Sequence, residues 1–284
     1  MGKWRCFILN VGTYIGLVVF AGFTLFPVYW LLMTSLKPAY EAWQIPPKWF
    51  FIPTFGNYVK VITGVREQYG MAGTSFSKCL INSLVVALIS TTVAIGLAIL
   101  ASYAIVRFSF RAKHHIAYWI LSTRMFPPIA VVLPWFLIAR NLGLTDTKFL
   151  LIVIYTGMNI PFAIWILRGF FQDLPVEIEE AALVDGCNRL KILTQIVVPI
   201  CAPGIAATAI LALIFAWNEF LFALILTGSN AKTLPVYSTG YILEKGVAWA
   251  ELSAVAILIA LPMICFGLFI QRYLVRGLTL GALK

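Results

Sequence analysis

Apolar residues fall into six nearly uninterrupted runs, 11–33, 80–106, 116–138, 149–167, 200–226 and 252–270, separated by polar intervals. A helix rising 1.5 Å per residue needs about 20 apolar residues to cross about 30 Å of hydrocarbon, and each run has about that length. The runs are apolar on every face and rich in Leu, Ile, Ala and Val, whereas a membrane barrel requires short strands of alternating polarity. The pattern therefore predicts an all-α polytopic membrane protein with six transmembrane helices in a single domain spanning 1–284. The connections are 34–79, 107–115, 139–148, 168–199 and 227–251. Of these, 34–79 and 168–199 carry most of the polar chemistry.

Composition agrees. Hydrophobic residues make up 61% of the 284-residue chain and charged residues 11%, with a mean hydropathy of +0.93, which excludes a soluble enzyme. A net charge of +10 would suggest nucleic acid in a soluble domain. Here the basic residues sit in short segments between spans, where they read as topology signals and lipid headgroup contacts, so no nucleic-acid partner is expected. The densest cluster, RFSFRAKHH at 107–115, abuts two spans and marks the cytoplasmic side. With an even number of spans, both termini then face the cytoplasm. The first run is too long for a secretory leader and is expected to stay as a span. Five scattered cysteines suggest free thiols, and no Cys/His spacing suggests a metal site.

Within 34–79, the stretch IPPKWFFIPTFGNY at 45–58 has Pro46, Pro47 and Pro53 to stop a helix, and aromatics suited to the membrane interface. Segment 168–199 predicts a helix, a break and a second helix. Pro175 suits a helix start, Glu177, Glu179 and Glu180 place negative charge where the dipole favours it, and Gly186 suits the stop. Beyond the break, Ile192, Leu193, Ile196 and Val197 form an amphipathic stripe ending at Pro199. Ala181 and Ala182 offer a small-residue surface that another protein's backbone could approach.

The spacing E-A-A-x-x-x-G, nine residues, then I-x-L-P resembles the cytoplasmic signature of binding-protein-dependent ABC importer permeases. Glu180, Ala181, Ala182, Gly186, Ile196 and Pro199 occupy its positions, and Val198 stands where the signature has Leu. The resemblance extends to NSL at 82–84, ASYAIVRFSFR at 101–111, GLTDT at 143–147, PFAIWILRGFF at 161–171, WNEF at 217–220 and GLTLGALK at 277–284. Together with IPPKW at 45–49, these are similar to the carbohydrate-importer branch, of the maltose permease G type. The resemblance implies a permease half in the bacterial cytoplasmic membrane, paired with a second related permease and seated on two ATPase subunits. It also implies an extracytoplasmic sugar-binding protein as donor, and ATP with Mg bound by the ATPases rather than by this chain. The chain has no G-x-x-x-x-G-K-[ST] motif of its own. On this resemblance 175–186 is a coupling helix, with Glu180, Ala181, Ala182, Asp185, Gly186, Ile196 and Pro199 as the ATPase-coupling residues.

Ionisable groups at membrane depth are costly and mark function by default. Arg124 in the third run and Glu219 in the fifth stand out, with Asn159 and Asn218 as uncharged polar groups and Trp135, Trp165 and Trp217 as stacking surfaces. Arg124, Asn159, Trp217, Asn218 and Glu219 are candidates for the substrate path. An Arg124–Glu219 structural pair is the alternative. No HExxH, GxSxG or paired intramembrane carboxylate points to catalysis.

Overall fold

A computed structural model of the chain describes residues 2–63, 74–243 and 246–281; the last three residues of GLTLGALK lie outside these. The chain forms two compact units, one from 1–72 and 238–260, the other from 73–237 and 261–284. Helices dominate both, as the pattern predicts.

The first unit contains α1 (Gly2–Leu36), α2 (Gly56–Thr63) and the start of α13 (Trp249–Gly281). Side chains 12–29 of α1 are exposed on every face. Where α1 ends, the Asn57 amide donates to the carbonyls of Ser35 and Lys37 at 2.7 and 2.8 Å, satisfying acceptors that a helix terminus leaves open. Within IPPKW, Trp49 packs edge-on against Trp30 at 5.3 Å between centroids. The connection 227–251 is not a plain loop. In this unit it carries a small antiparallel ribbon, Ile242–Leu243 with Gly246–Val247.

The second unit is built on α3 (Phe76–Arg107), α6 (Lys148–Gln172) and α10 (Ala202–Trp217). Hydroxyls of Ser75 and Thr147 cap α3 and α6 by accepting the N–H groups of Lys78 and Leu150. Small residues let the three backbones approach: Ala98, Ala163 and Ala212 are fully buried in one cluster. At Gly204 a Cβ would lie 2.5 Å from the Phe170 ring, so only glycine permits this approach.

Two of the six predicted spans are bent. The run 116–138 divides into α4 (Lys113–Ser122) with a 3-10 turn (Thr123–Met125), and α5 (Pro128–Asn141) at 90° to it. Pro127 and Pro128 lack N–H groups and force extended backbone at Phe126, which ends the first helix. His114 and His115 consequently lie in the first turn of α4 rather than in a loop. The run 200–226 bends as well. Helix α8 (Arg189–Ile192), a π turn (Leu193–Val197) and α9 (Val198–Ile200) form one segment at 80° to α10. A second break at Asn218–Phe220 precedes α11 (Leu221–Leu226). Among the described residues, four helices are thus continuous, long and apolar enough to cross a membrane, and the number rises to six when each bent pair counts as one span. α12 (Leu234–Ser238) follows within the connection 227–251.

Candidate functional site

The interval 168–199 folds as helix, break and helix. α7 runs Val176–Val184, with Pro175 extended before it and Glu177 and Glu179 in its first turn. It stops in a Schellman arrangement: the Gly186 N–H donates to Leu183 O and the Cys187 N–H to Ala182 O, each at 3.0 Å. Gly186 takes φ +81°, a left-handed conformation that costs glycine little. Asn188 then caps α8 through the Lys191 N–H at 2.8 Å.

Glu179 fixes α7 to the spans. Its carboxylate is fully buried and accepts from Arg107 Nε at 2.5 Å and the Tyr103 hydroxyl at 2.8 Å; Arg189 Nη1 stands at 3.8 Å. Arg107 also donates to Leu174 O at 2.8 Å, tying the start of the same loop to the end of α3. The sequence reading gave Glu179 only a dipole role. The signal that could have found it is the i, i+4 spacing of Tyr103 and Arg107, which puts two donors on one face of α3.

The signature residues divide between two faces. Glu180, Ala181, Asp185 and Gly186 are exposed, and Val184 is 88% exposed. Ala182 instead packs inward with Tyr103, Phe171 and Leu174, so the expected small-residue surface reduces to Ala181. Helix periodicity places Ala182 three residues after Glu179, on the same buried side. Ile196 is half-buried and Pro199 exposed, while Ile192, Leu193 and Val197 are buried as the stripe predicts.

A cavity of about 600 Å³ opens in the second unit between the bent α4–α5 pair, α6 and the end of α10. Arg124, Asn159, Glu219, Trp135 and Tyr155 line it; Trp217 and Asn218 do not. Trp217 is buried in the core, the Asn218 amide turns back to Ile214 O, and Trp165 packs against Tyr118 and the Arg168 guanidinium. Arg124 and Glu219 share the cavity but form no ion pair. Both Glu219 oxygens are taken: Oε1 accepts the Phe222 N–H at 2.9 Å, and Oε2 accepts the Tyr155 hydroxyl at 2.7 Å and the Ala223 N–H at 3.2 Å. Glu219 thus breaks the fifth run by satisfying the first free N–H groups of α11. Arg124 lies 4.8 and 4.7 Å from the ring centres of Phe162 and Phe215 and donates to Met158 O at 3.4 Å. Tyr155 was missed in the sequence, where a lone tyrosine inside an apolar run carries no signal.

GLTDT forms a latch outside the spans. Asp146, at φ +60°, accepts the N–H groups of Gly228, Asn230 and Ala231 at 2.8–3.1 Å. Partial burial works against its charge, but these backbone donors outweigh it and hold the carboxyl below the usual aspartate range.

Residues 90–280 match the family described as binding-protein-dependent transport system inner membrane component. The trehalose transport system permease protein SugB of Mycobacterium tuberculosis is 38% identical over 93% of both chains. The trehalose/maltose transport system permease protein MalG of Thermococcus litoralis is 34% identical over 95% of both. Among solved structures, a chain of a bacterial ABC transporter that imports the acidic polysaccharide alginate has the same fold. It superposes with a TM-score of 0.75 at 22% identity, covering 96% of this chain and 99% of that one.

Proposed function

Since the chain belongs to the family of binding-protein-dependent transport system inner membrane components, we propose that it is the permease subunit of an ATP-binding-cassette importer carrying a carbohydrate across the cytoplasmic membrane. The observation that carries the permease reading is α7, clamped to α3 by the buried Glu179 carboxylate while Glu180, Ala181 and Val184 face outward. A short helix rigidly joined to the spans on one side and bare on the other suits a cleft in a separate ATPase subunit. Nucleotide-driven closure of two such subunits, which hold ATP and Mg, would move the spans as rigid bodies. Asp185 and Gly186 end the docking helix, and Ile196 and Pro199 belong to the segment that carries its motion into α10.

Cargo moves by alternating access between this chain and a second related permease, delivered by an extracytoplasmic sugar-binding protein. The trehalose and trehalose/maltose relatives support a mono- or oligosaccharide or a derivative. The cavity supports it too, since Trp135 and Tyr155 offer ring faces and Arg124 and Asn159 offer donors to hydroxyl oxygens.

Purification of the chain from its host should bring a second permease and an ATPase with it. Reconstituted in proteoliposomes with a binding protein, that assembly should take up radiolabelled trehalose or maltose only with ATP. ATP-independent uptake by this chain alone would show a secondary transporter instead. For the topology, a Lys113→Cys variant without other cysteines should react with an impermeant maleimide only from the cytoplasmic side; reaction from outside alone would invert it.

A further inference from the structure

The first unit holds a separate pocket of about 300 Å³ lined by Trp30, Thr34, Lys37, Glu41, Gln44 and Trp249. Two opposite charges are buried there, Lys37 at 3% exposure and Glu41 at 6%. The Lys37 ammonium lies over the Trp30 and Phe51 rings at 5.1 and 5.4 Å, and among the described residues it has no ion pair. Glu41 Oε1 accepts from Lys48 at 2.5 Å, but Glu41 Oε2 is buried without a donor. Buried polar atoms in folded proteins are nearly always hydrogen-bonded. The pocket therefore calls for a ligand that brings an anionic acceptor to Lys37 and a donor to Glu41 Oε2.

Charge narrows the class. Lys48, outside the lining, already compensates the Glu41 carboxylate through Oε1, which leaves the Lys37 charge for a single phosphodiester to neutralise. Position narrows it further. Lys37 follows directly on the apolar α1, and Trp43, Trp49, Phe50 and Ile52 are exposed around it, a set of side chains that marks headgroup depth. A zwitterionic headgroup would leave the positive charge uncompensated, and a neutral sugar would leave Lys37 without an anion.

We propose that this pocket binds the headgroup of a phosphatidylglycerol-class lipid, with the phosphate on Lys37 and a glycerol hydroxyl donating to Glu41 Oε2. The acyl chains then lie along the bare apolar surface of α1.

The test uses the full purified assembly in nanodiscs of equimolar dioleoyl phosphatidylglycerol and phosphatidylethanolamine, with retained lipid read by native mass spectrometry. A lysine near a membrane surface contributes about fivefold in anionic-lipid affinity, so the wild type should retain phosphatidylglycerol by about that ratio and Lys37→Met should lose the preference. Lys148→Gln, at the start of α6, should keep it. Equal retention of the two lipids by the wild type overturns the proposal, as does equal loss in both variants. Photocrosslinking of the wild-type assembly gives an independent readout that needs no variant to fold. Photoactivatable phosphatidylglycerol should crosslink to the segment around Lys37 and photoactivatable phosphatidylethanolamine should not; loss of that crosslink on adding soluble glycerol phosphate or maltose would assign the pocket to a water-borne ligand.

Discussion

Replacement of Glu179 should be among the most costly changes in the chain. The carboxylate is fully buried and the Arg107 side chain only 7% exposed, so Glu179→Ala strands a guanidinium in low dielectric. Breaking a buried pair by removing one partner costs about 3–5 kcal/mol. Glu179→Gln keeps an acceptor for the Tyr103 hydroxyl but loses the charge, and should fall at the lower end, about 3 kcal/mol. Removing both charges with Arg107→Met and Glu179→Met should recover most of that loss, because an apolar pair of similar volume is often neutral. Equilibrium unfolding of the wild type, Arg107→Met, Glu179→Met and the double variant in detergent, followed by tryptophan fluorescence, yields the coupling energy as a double-mutant cycle. ATP hydrolysis by the assembly provides the functional arm, and Glu179→Gln should uncouple it from the binding protein while the complex still forms. If the single losses add to within about 0.5 kcal/mol in the double variant, the clamp carries no energy of its own. Packing of Leu174 and Ala182 would then hold α7 alone.

Three further outcomes follow from the geometry. Gly186→Val introduces about 1–2 kcal/mol of left-handed strain with no clash, since nothing lies within 4 Å of a Cβ there; the chain should insert yet fail to stimulate ATP hydrolysis, and wild-type uptake would remove Gly186 from coupling. Asp146→Ala removes charge-assisted bonds worth about 1.5–3 kcal/mol and should free loop 227–231 to exchange amide hydrogens faster. Because the folded Asp146 pKa is depressed, its contribution is complete above the unfolded value and disappears as pH falls through the folded one, so exchange there should rise only in acid below the ordinary aspartate range. Arg124→Gln should lower uptake without impairing assembly, and its coupling to Glu219→Gln should stay within about 0.5 kcal/mol; a larger value would show the two charges acting as a pair.

The helical class was legible because apolar run length in a membrane protein depends on composition alone. α7 was legible to within a residue at each end, since Pro175 and Gly186 punctuate it by backbone conformation. The 90° and 80° bends were not, although Pro127, Pro128 and Pro203 were in plain view. A proline inside an apolar run is compatible with both a straight span and a broken one, and packing decides between them. The Glu219 break was hidden for another reason. A carboxylate that caps a helix from within a gap of three residues reads, in one dimension, as a charge awaiting a distant countercharge. Ala182 shows the limit of a motif, which records that a position matters without recording which way it points.

α3 is gripped at both ends. Arg107 holds the buried carboxylate of α7 at one end. At the other, the Asn82 amide donates to the carbonyls of Asn230 and Lys232, and the Ser83 hydroxyl accepts the Leu234 N–H. A straight helix of 32 residues is a rod about 48 Å long. Tilting such a rod by about 5° about one end sweeps the other through about 4 Å, a displacement of the order of a helix shift between packed states. Were α7 driven as proposed, the clamp at Glu179 would serve in mechanical terms as a crank pin, through which a small angular stroke at α7 would become an ångström-scale excursion of the loop that Asn82 holds.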